Sequence, residues 1–183
     1  MPALMDRKFT TGLSGCNPTS ALLLRLAASR GVPRAVELLL EGGADANDSC
    51  SRAGLTPLCA AAFAGRLVNV GVLIDWGADV CGTSTDERYT ALHYAILKGY
   101  IGVIDELIAR DRRVLRKNTG DGTSPLHLAV KAGWPNAVRA LIHAGVDVNE
   151  LHPEDSAPPL AWARGGDSPI IVEMLMNAGA NNN

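Results

Sequence analysis

A leucine recurs every 34 residues along this chain, and that spacing restricts the fold more than any other feature. The column is Leu24, Leu58, Leu92, Leu126 and Leu160. Three residues on, every copy carries an alanine: Ala27, Ala61, Ala95, Ala129 and Ala163. Gly31, Gly65, Gly99 and Gly133 follow in register, with Asp167 in the last copy. Then come Val36, Val70, Ile104, Val138 and Val172, and after them Leu39, Leu73, Leu107, Leu141 and Leu175. Self-similarity at this period means that each copy is one supersecondary unit, too small to bury its own apolar face, which its neighbours cover instead.

The columns read as two short helices per copy. Leu58 and Ala61 stand at i,i+3 on one helical face. Alanine favours helix and lets the next helix approach closely, where a larger side chain would overpack at about 1–3 kcal/mol. Gly65 suits the left-handed position that ends the first helix. Val70, Leu73 and Ile74 fall at i, i+3, i+4 on a second helix, which Gly77 ends. Gly77-Ala78-Asp79-Val80 opens a long loop to the next copy. The expectation is an all-α solenoid of five helix-turn-helix units with hairpin loops, over about 20–53, 54–87, 88–121, 122–155 and 156–183. Residues 1–18 read as a partly disordered N-terminal extension ahead of a repeat domain at 19–183.

Composition narrows the class. An apolar fraction of 47% supports a core, and only 4% aromatics makes it aliphatic and alanine-rich. The net charge of -2 argues against a nucleic-acid binder, whose footprint is basic. Cys16, Cys50, Cys59 and Cys81 include no Cys-x-x-Cys pair, which points to reduced thiols. Met1 to Cys16 has no apolar stretch behind a basic start, so no secretory signal is visible. No apolar run approaches the roughly 20 residues of a membrane span. These features predict a cytoplasmic protein with no membrane insertion, the nucleus being the other compatible compartment.

The copies carry a recognisable pattern. Ser124-Pro125-Leu126-His127-Leu128-Ala129 runs on to Gly145-Val146-Asp147-Val148-Asn149, and Thr56-Pro57-Leu58 and Thr90-Ala91-Leu92-His93 match its start. This resembles the ankyrin repeat, from about Thr19 to the C-terminus. The usual ankyrin period is about 33, and the extra residue is expected in the hairpin loop, for instance between Asn47 and Gly54. The motif is specific for fold and nearly silent on function. Copy one lacks the Thr-Pro turn, as an N-terminal cap would. Copy three has Asp111-Arg112-Arg113-Val114-Leu115 where the others have Gly-Ala-Asp-Val-Asn or a close match, which predicts a reshaped loop. In copy five, Ile170 and Met174 stand on the second helix, where a free end should be polar. They imply a cover: further repeats, a partner or a second copy of the chain.

The resemblance implies that a partner protein or peptide binds the concave face, built from hairpin tips and the ends of the inner helices. The candidate residues are Arg30, Phe63, Leu97, Lys98 and Lys131 on the helices, and Arg52, Asp86, Arg88 and Tyr89 at the tips. Phe63, Tyr89 and Leu97 would form an exposed apolar strip beside Lys98 and Lys131, as in a binding hot spot. The competing reading packs Phe63 and Leu97 against neighbouring loops. After the turn glycine stand Val32, Arg66, Tyr100 and Trp134, expected to stack as a column with Arg66 on Tyr100 as a cation–π pair. Family members usually carry a structural histidine there, so the column has both a structural and a binding reading. Trp162 aligns with core positions, and Trp76 is expected on the convex surface. Arg110, Arg112, Arg113, Arg116 and Lys117 are a possible second contact for an acidic segment or phosphate. The alternative is a solvated loop paired to Asp111 and Asp121.

Nothing in the sequence assembles a catalytic group. His93 and His127 share one repeat position, where the resemblance implies that histidine braces the turn. His143 and His152 have only Glu154 and Asp155 near them, a weak metal signal. Cys59 takes the histidine position in copy two and reads as a structural thiol; Cys50 and Cys81 are loop cysteines open to reactivity. Thr119-Gly120-Asp121-Gly122-Thr123 lacks the Gly-Lys-Ser/Thr end of a phosphate loop and falls at a hairpin tip. The reading is therefore a non-enzymatic interaction module (adaptor, inhibitor or targeting domain) with no cofactor and no metal. The alternative is a repeat fragment of a larger protein whose enzyme, ubiquitin-ligase or channel part lies elsewhere.

Overall fold

The computed structural model describes residues 18–49, 54–84, 88–166 and 168–181. Among them it forms ten α-helices in five antiparallel pairs: α1 (Pro18–Arg30) with α2 (Pro33–Glu41), α3 (Pro57–Phe63) with α4 (Leu67–Asp75), α5 (Ala91–Lys98) with α6 (Ile101–Arg110), α7 (Pro125–Lys131) with α8 (Pro135–His143), and α9 (Pro159–Gly165) with α10 (Pro169–Asn177). The all-α repeat fold expected from the sequence is what the chain adopts. The stretches holding Met1 to Cys16, Cys50, Arg52, Asp86, Glu87 and Asp167 lie outside the described residues.

Local sequence sets the helix starts. Pro57 and Pro125 occupy the first helical turn, where the missing N–H costs nothing. Ahead of them, Thr56 Oγ1 accepts from Cys59 N at 3.2 Å and Ser124 Oγ from His127 N at 3.4 Å. His93 and His127 brace the turns in the way the resemblance implied. Thr90 N donates to His93 Nδ1 at 3.0 Å, and His127 bridges Ser124 Oγ (2.8 Å) to the Ala157 carbonyl of the next copy (3.0 Å).

The odd-numbered helices stack on one another as one layer and the even-numbered helices as a second. All five leucines of the first column are buried, as are Ala61, Ala95, Ala129 and Ala163. Ala27, in the first described copy, and Val172, in the last, are only half-buried. One buried polar side chain ties the layers together. Asn69 on α4 donates to the carbonyls of Ala27 (3.1 Å) and Ala28 (2.8 Å) at the end of α1.

The column after the turn glycines does not stack on itself. Arg66, Tyr100 and Trp134 each lie flat on the turn glycine of the preceding copy: Arg66 over Gly31, Tyr100 over Gly65, and Trp134 over Gly99. Arg66 Nε donates to Ser29 O (3.1 Å) and Trp134 Nε1 to Leu97 O (3.4 Å). Arg66 is thus held by backbone, and the expected cation–π pair with Tyr100 is not formed. Each glycine meets two demands at once. At Gly65 φ is +68° and a Cβ would stand 2.8 Å from the Tyr100 ring.

Neighbouring loops are clamped at both ends of the solenoid. Asn47 donates to Gly77 O (3.0 Å) and accepts from Asp79 N (2.7 Å). Asn149 repeats the clamp on Gly179 O (3.2 Å) and Asn181 N (2.8 Å). In the middle copies that column reads Cys81 and Leu115, which cannot make it. Copy three is reshaped as its sequence foretold: Arg112–Arg116 form a 3-10 helix, with Asp111 capping Arg113 N at 2.9 Å and Val114 buried.

The C-terminal face differs from expectation. Ile170 is exposed, but so are its counterparts Arg34, Val68, Gly102 and Asn136, so its exposure is not caused by a missing neighbour. Met174 is half-buried, like Val72, Glu106 and Ala140. The residue left uncovered is Met176, 54% exposed where Leu40 and Ile108 are buried. On α9, Arg164 stands where the earlier copies bury Ala28, Ala62, Ile96 and Val130, a polar residue suited to a free end.

Candidate protein-binding surface

The layer of odd-numbered helices carries a row of aromatic and basic side chains. Phe63, the last residue of α3, is 45% exposed and meets Tyr94 of α5 edge-on, ring centroids 5.8 Å apart. Tyr94 in turn meets Tyr89 at 5.5 Å. Lys98 places its ammonium 4.5 Å from the centre of the Phe63 ring, within cation–π range. Two periods on from Phe63, Lys131 of α7 stands 5.8 Å from the ring of Trp162 on α9. Trp162 packs at 5.0 Å against both His127 and His152, and its Nε1 donates to Asp155 Oδ2 at 3.0 Å. The underlying rule is geometric: the residue at the end of one inner helix touches the mid-helix residue of the next copy. That rule pairs Phe63 with Tyr94 and Lys131 with Trp162.

The expected strip of Phe63, Tyr89 and Leu97 is therefore only partly realised. Phe63 stands out, whereas Tyr89 and Leu97 are half-buried, Leu97 against the core. Trp162, expected in the core, is half-buried with a wet indole edge. Tyr94 and His152 belong to the row although the sequence reading left them out. The signal available for Tyr94 was its column, shared with Trp162. Arg30, Lys98, Lys131 and Arg88 are exposed, and Trp76 lies open at the end of α4. Arg52 and Asp86 lie outside the described residues.

The five basic residues of copy three divide sharply. Arg110 pairs with Asp75 (2.6 Å) and Glu106 (2.8 Å). Arg112 donates to the Ala144 carbonyl. Arg113 holds Asp111 in a bidentate fork that pulls this carboxyl down to about 2. Asp121 makes no pair with this group; its carboxylate accepts from Thr119 Oγ1 and Thr123 N. Arg116 and Lys117 make no ion pair among the described residues.

The two described thiols, Cys59 and Cys81, are not poised for chemistry. Burial pushes Cys59 up to about 11. At Cys81 burial, then Asp111 and Asp79, raise the thiol against the opposing pull of Arg113 and Lys117, so the thiolate is disfavoured. Cys50 lies outside the described residues. No group of three metal-ligating side chains gathers among the described residues, and no described helix is long and apolar enough to cross a membrane.

Stacked helix pairs with loops along one edge and an aromatic–basic row on the inner layer define a helical-repeat solenoid built to present a surface. The family model for ankyrin repeats (three copies) matches residues 23–118 and 110–183, all but the first 22 residues. The chain belongs to the ankyrin-repeat family, whose repeats in general are non-catalytic protein–protein interaction modules. No curated protein matches it.

Proposed function

We propose that this chain is a recognition module that takes a partner protein or peptide on the concave side of the solenoid, across the row from Phe63 to Trp162. It acts as an adaptor, inhibitor or targeting domain, in the cytoplasm or nucleus, where isolated thiols such as Cys59 and Cys81 stay reduced. The observation that carries the reading is Lys98 over the exposed Phe63 ring, with a second lysine–aromatic pair, Lys131 and Trp162, further along the same helix layer. A large exposed ring with a cation against it, on a surface built from regular helices, is the composition of an interface anchor.

The experiment is partner capture from lysate with the full chain, beside a Phe63→Ser, Lys98→Ala, Lys131→Ala variant. These three side chains are solvent-facing, so the variant should unfold at nearly the same midpoint. Loss of the captured protein by the variant is the expected result. Equal capture by both would move the contact off this row. A second reading, a repeat segment of a larger enzyme, ligase subunit or channel, draws on the uncovered Met176 side chain. Self-association through the same end is the remaining proposal for that face. Sedimentation of the chain alone tests it, with a Met176→Glu variant as control.

A further inference from the structure

We infer that the cleft between the second and third hairpin loops is an anion site, built for the phosphoryl group of a phosphorylated peptide segment. The inference rests on the reading of the chain as a protein-binding module and names what one part of the partner must carry.

The cleft exists because a clamp is missing. Where Asn47 and Asn149 tie adjacent loops together, the third loop meets Cys81 instead, whose Sγ donates to Asp111 Oδ2 at 3.7 Å. The loops leave a space of about 520 Å³ walled by Arg88, Arg116, Lys117 and Asp79, with Thr83 and Thr119 beside them. A smaller space of about 260 Å³ adjoins it between Cys81, Arg113, Arg116 and Lys117. Among the described lining residues three cations thus face one carboxylate, and Asp79 already accepts from Cys81 N at 2.9 Å.

Among the described residues these cations are spare. Arg110, Arg112 and Arg113 are each engaged, whereas Arg88, Arg116 and Lys117 have no ion pair or side-chain hydrogen bond among the described residues. Their charge stands out in a chain of net charge -2. Arg88 also holds a left-handed φ of 54°, a conformation that a glycine or asparagine would take at less cost.

The ligand follows from counting charge and acceptors. A single carboxylate offers one charge and two oxygens. A phosphomonoester offers a charge of about -1.5 to -2 and three acceptor oxygens, which suits three donors from two loops. The open position at the loop edge admits a phosphorylated side chain carried on an extended segment.

The test uses the full chain and immobilised pools of randomised peptides, identical but for a central phosphoserine, serine or aspartate. The phosphoserine pool should be retained about ten-fold or more over the serine pool. An Arg88→Gly, Arg116→Gln variant should lose that preference, while Arg139→Gln, an exposed charge on α8, should keep it, all three chains unfolding at similar midpoints. Equal retention of the serine and phosphoserine pools overturns the site. So does equal retention of the aspartate pool, or equal loss with Arg139→Gln. Displacement by single-stranded oligothymidylate as effective as by free phosphoserine would reassign the cleft to nucleic acid. Phe63→Ser shares no residue with the cleft and should keep the phosphoserine preference. Its capture of whole partners reports on the concave row alone, so failure of one reading is distinguishable from failure of the other.

Discussion

At the scale of single residues, the turn glycines show how a repeat fold uses one position twice. Gly65 and Gly133 share a left-handed backbone, but Gly65 lies beneath the Tyr100 ring whereas nothing stands within 4 Å of a Cβ built on Gly133. Gly133→Ala should cost about 1–2 kcal/mol, the left-handed penalty alone. Gly65→Ala should cost about 1–3 kcal/mol more, because the ring must lift off. Urea unfolding reads both, and in a Tyr100→Ala background the two alanines should cost the same. A difference that persists there would place the excess elsewhere in the turn. His93 carries a pH signature. Burial lowers its imidazole to about 4 from the ordinary 6.5, partly offset by the Lys117 backbone and Asp121. The neutral form is the folded form, so the contribution is fully present above 6.5. As pH falls from there to about 4 the unfolded chain gains a proton that the fold resists, and stability drops by about 3 kcal/mol, with no further loss below. His127 is shifted in the same direction by burial. Unfolding midpoints across that window should slope less steeply for His93→Gln. An equal slope would assign the titration to other groups.

At the scale of elements, helix pairs are stable only through their neighbours. α7 lies between α5 and α9, whereas α9 is covered by α7 on one side alone. Leu126 and Leu160 are equally buried, both 1% exposed. Leu126→Ala should destabilise the whole array, within the range of about 2–5 kcal/mol for a leucine-sized cavity. Leu160→Ala should act chiefly by fraying α9 and α10, with amide exchange rising there and unchanged in α3 to α6. Uniform exchange across all ten helices would mean that the array unfolds as one unit. The same logic explains copy three. Replacing a left-handed glycine with Asp111, and an asparagine clamp with Leu115, converts a loop into the 3-10 turn Arg112–Arg116. This reshaping was legible in the sequence as a broken pattern, but its consequence, an open cleft, was not. The cleft depends on what the adjacent loop places opposite, and Cys81 reads as a plain loop cysteine until it aligns with Asn47 and Asn149.

At the scale of the molecule, two separate surfaces emerge: an aromatic–lysine row along the inner helices and a basic cleft between loops. Both are made by residues from neighbouring copies, and neither is contained in one repeat. That is why the sequence located Phe63, Lys98 and Lys131 but missed Tyr94 and His152, which complete the row. It is also why the sequence alone leaves Tyr89 and Leu97 exposed, whereas neighbouring side chains half-bury them. Periodicity alone stacks Arg66, Tyr100 and Trp134 on one another, but the rise from one copy to the next sets each on a glycine of the copy before it. By itself the sequence determined the repeat, its helices and turns, and its aliphatic core, because those follow from periodicity and local backbone preference within a single unit. Only the tertiary structure decided which side chains stay free, since exposure and pairing are set by the offset between stacked copies, a quantity that no single repeat encodes.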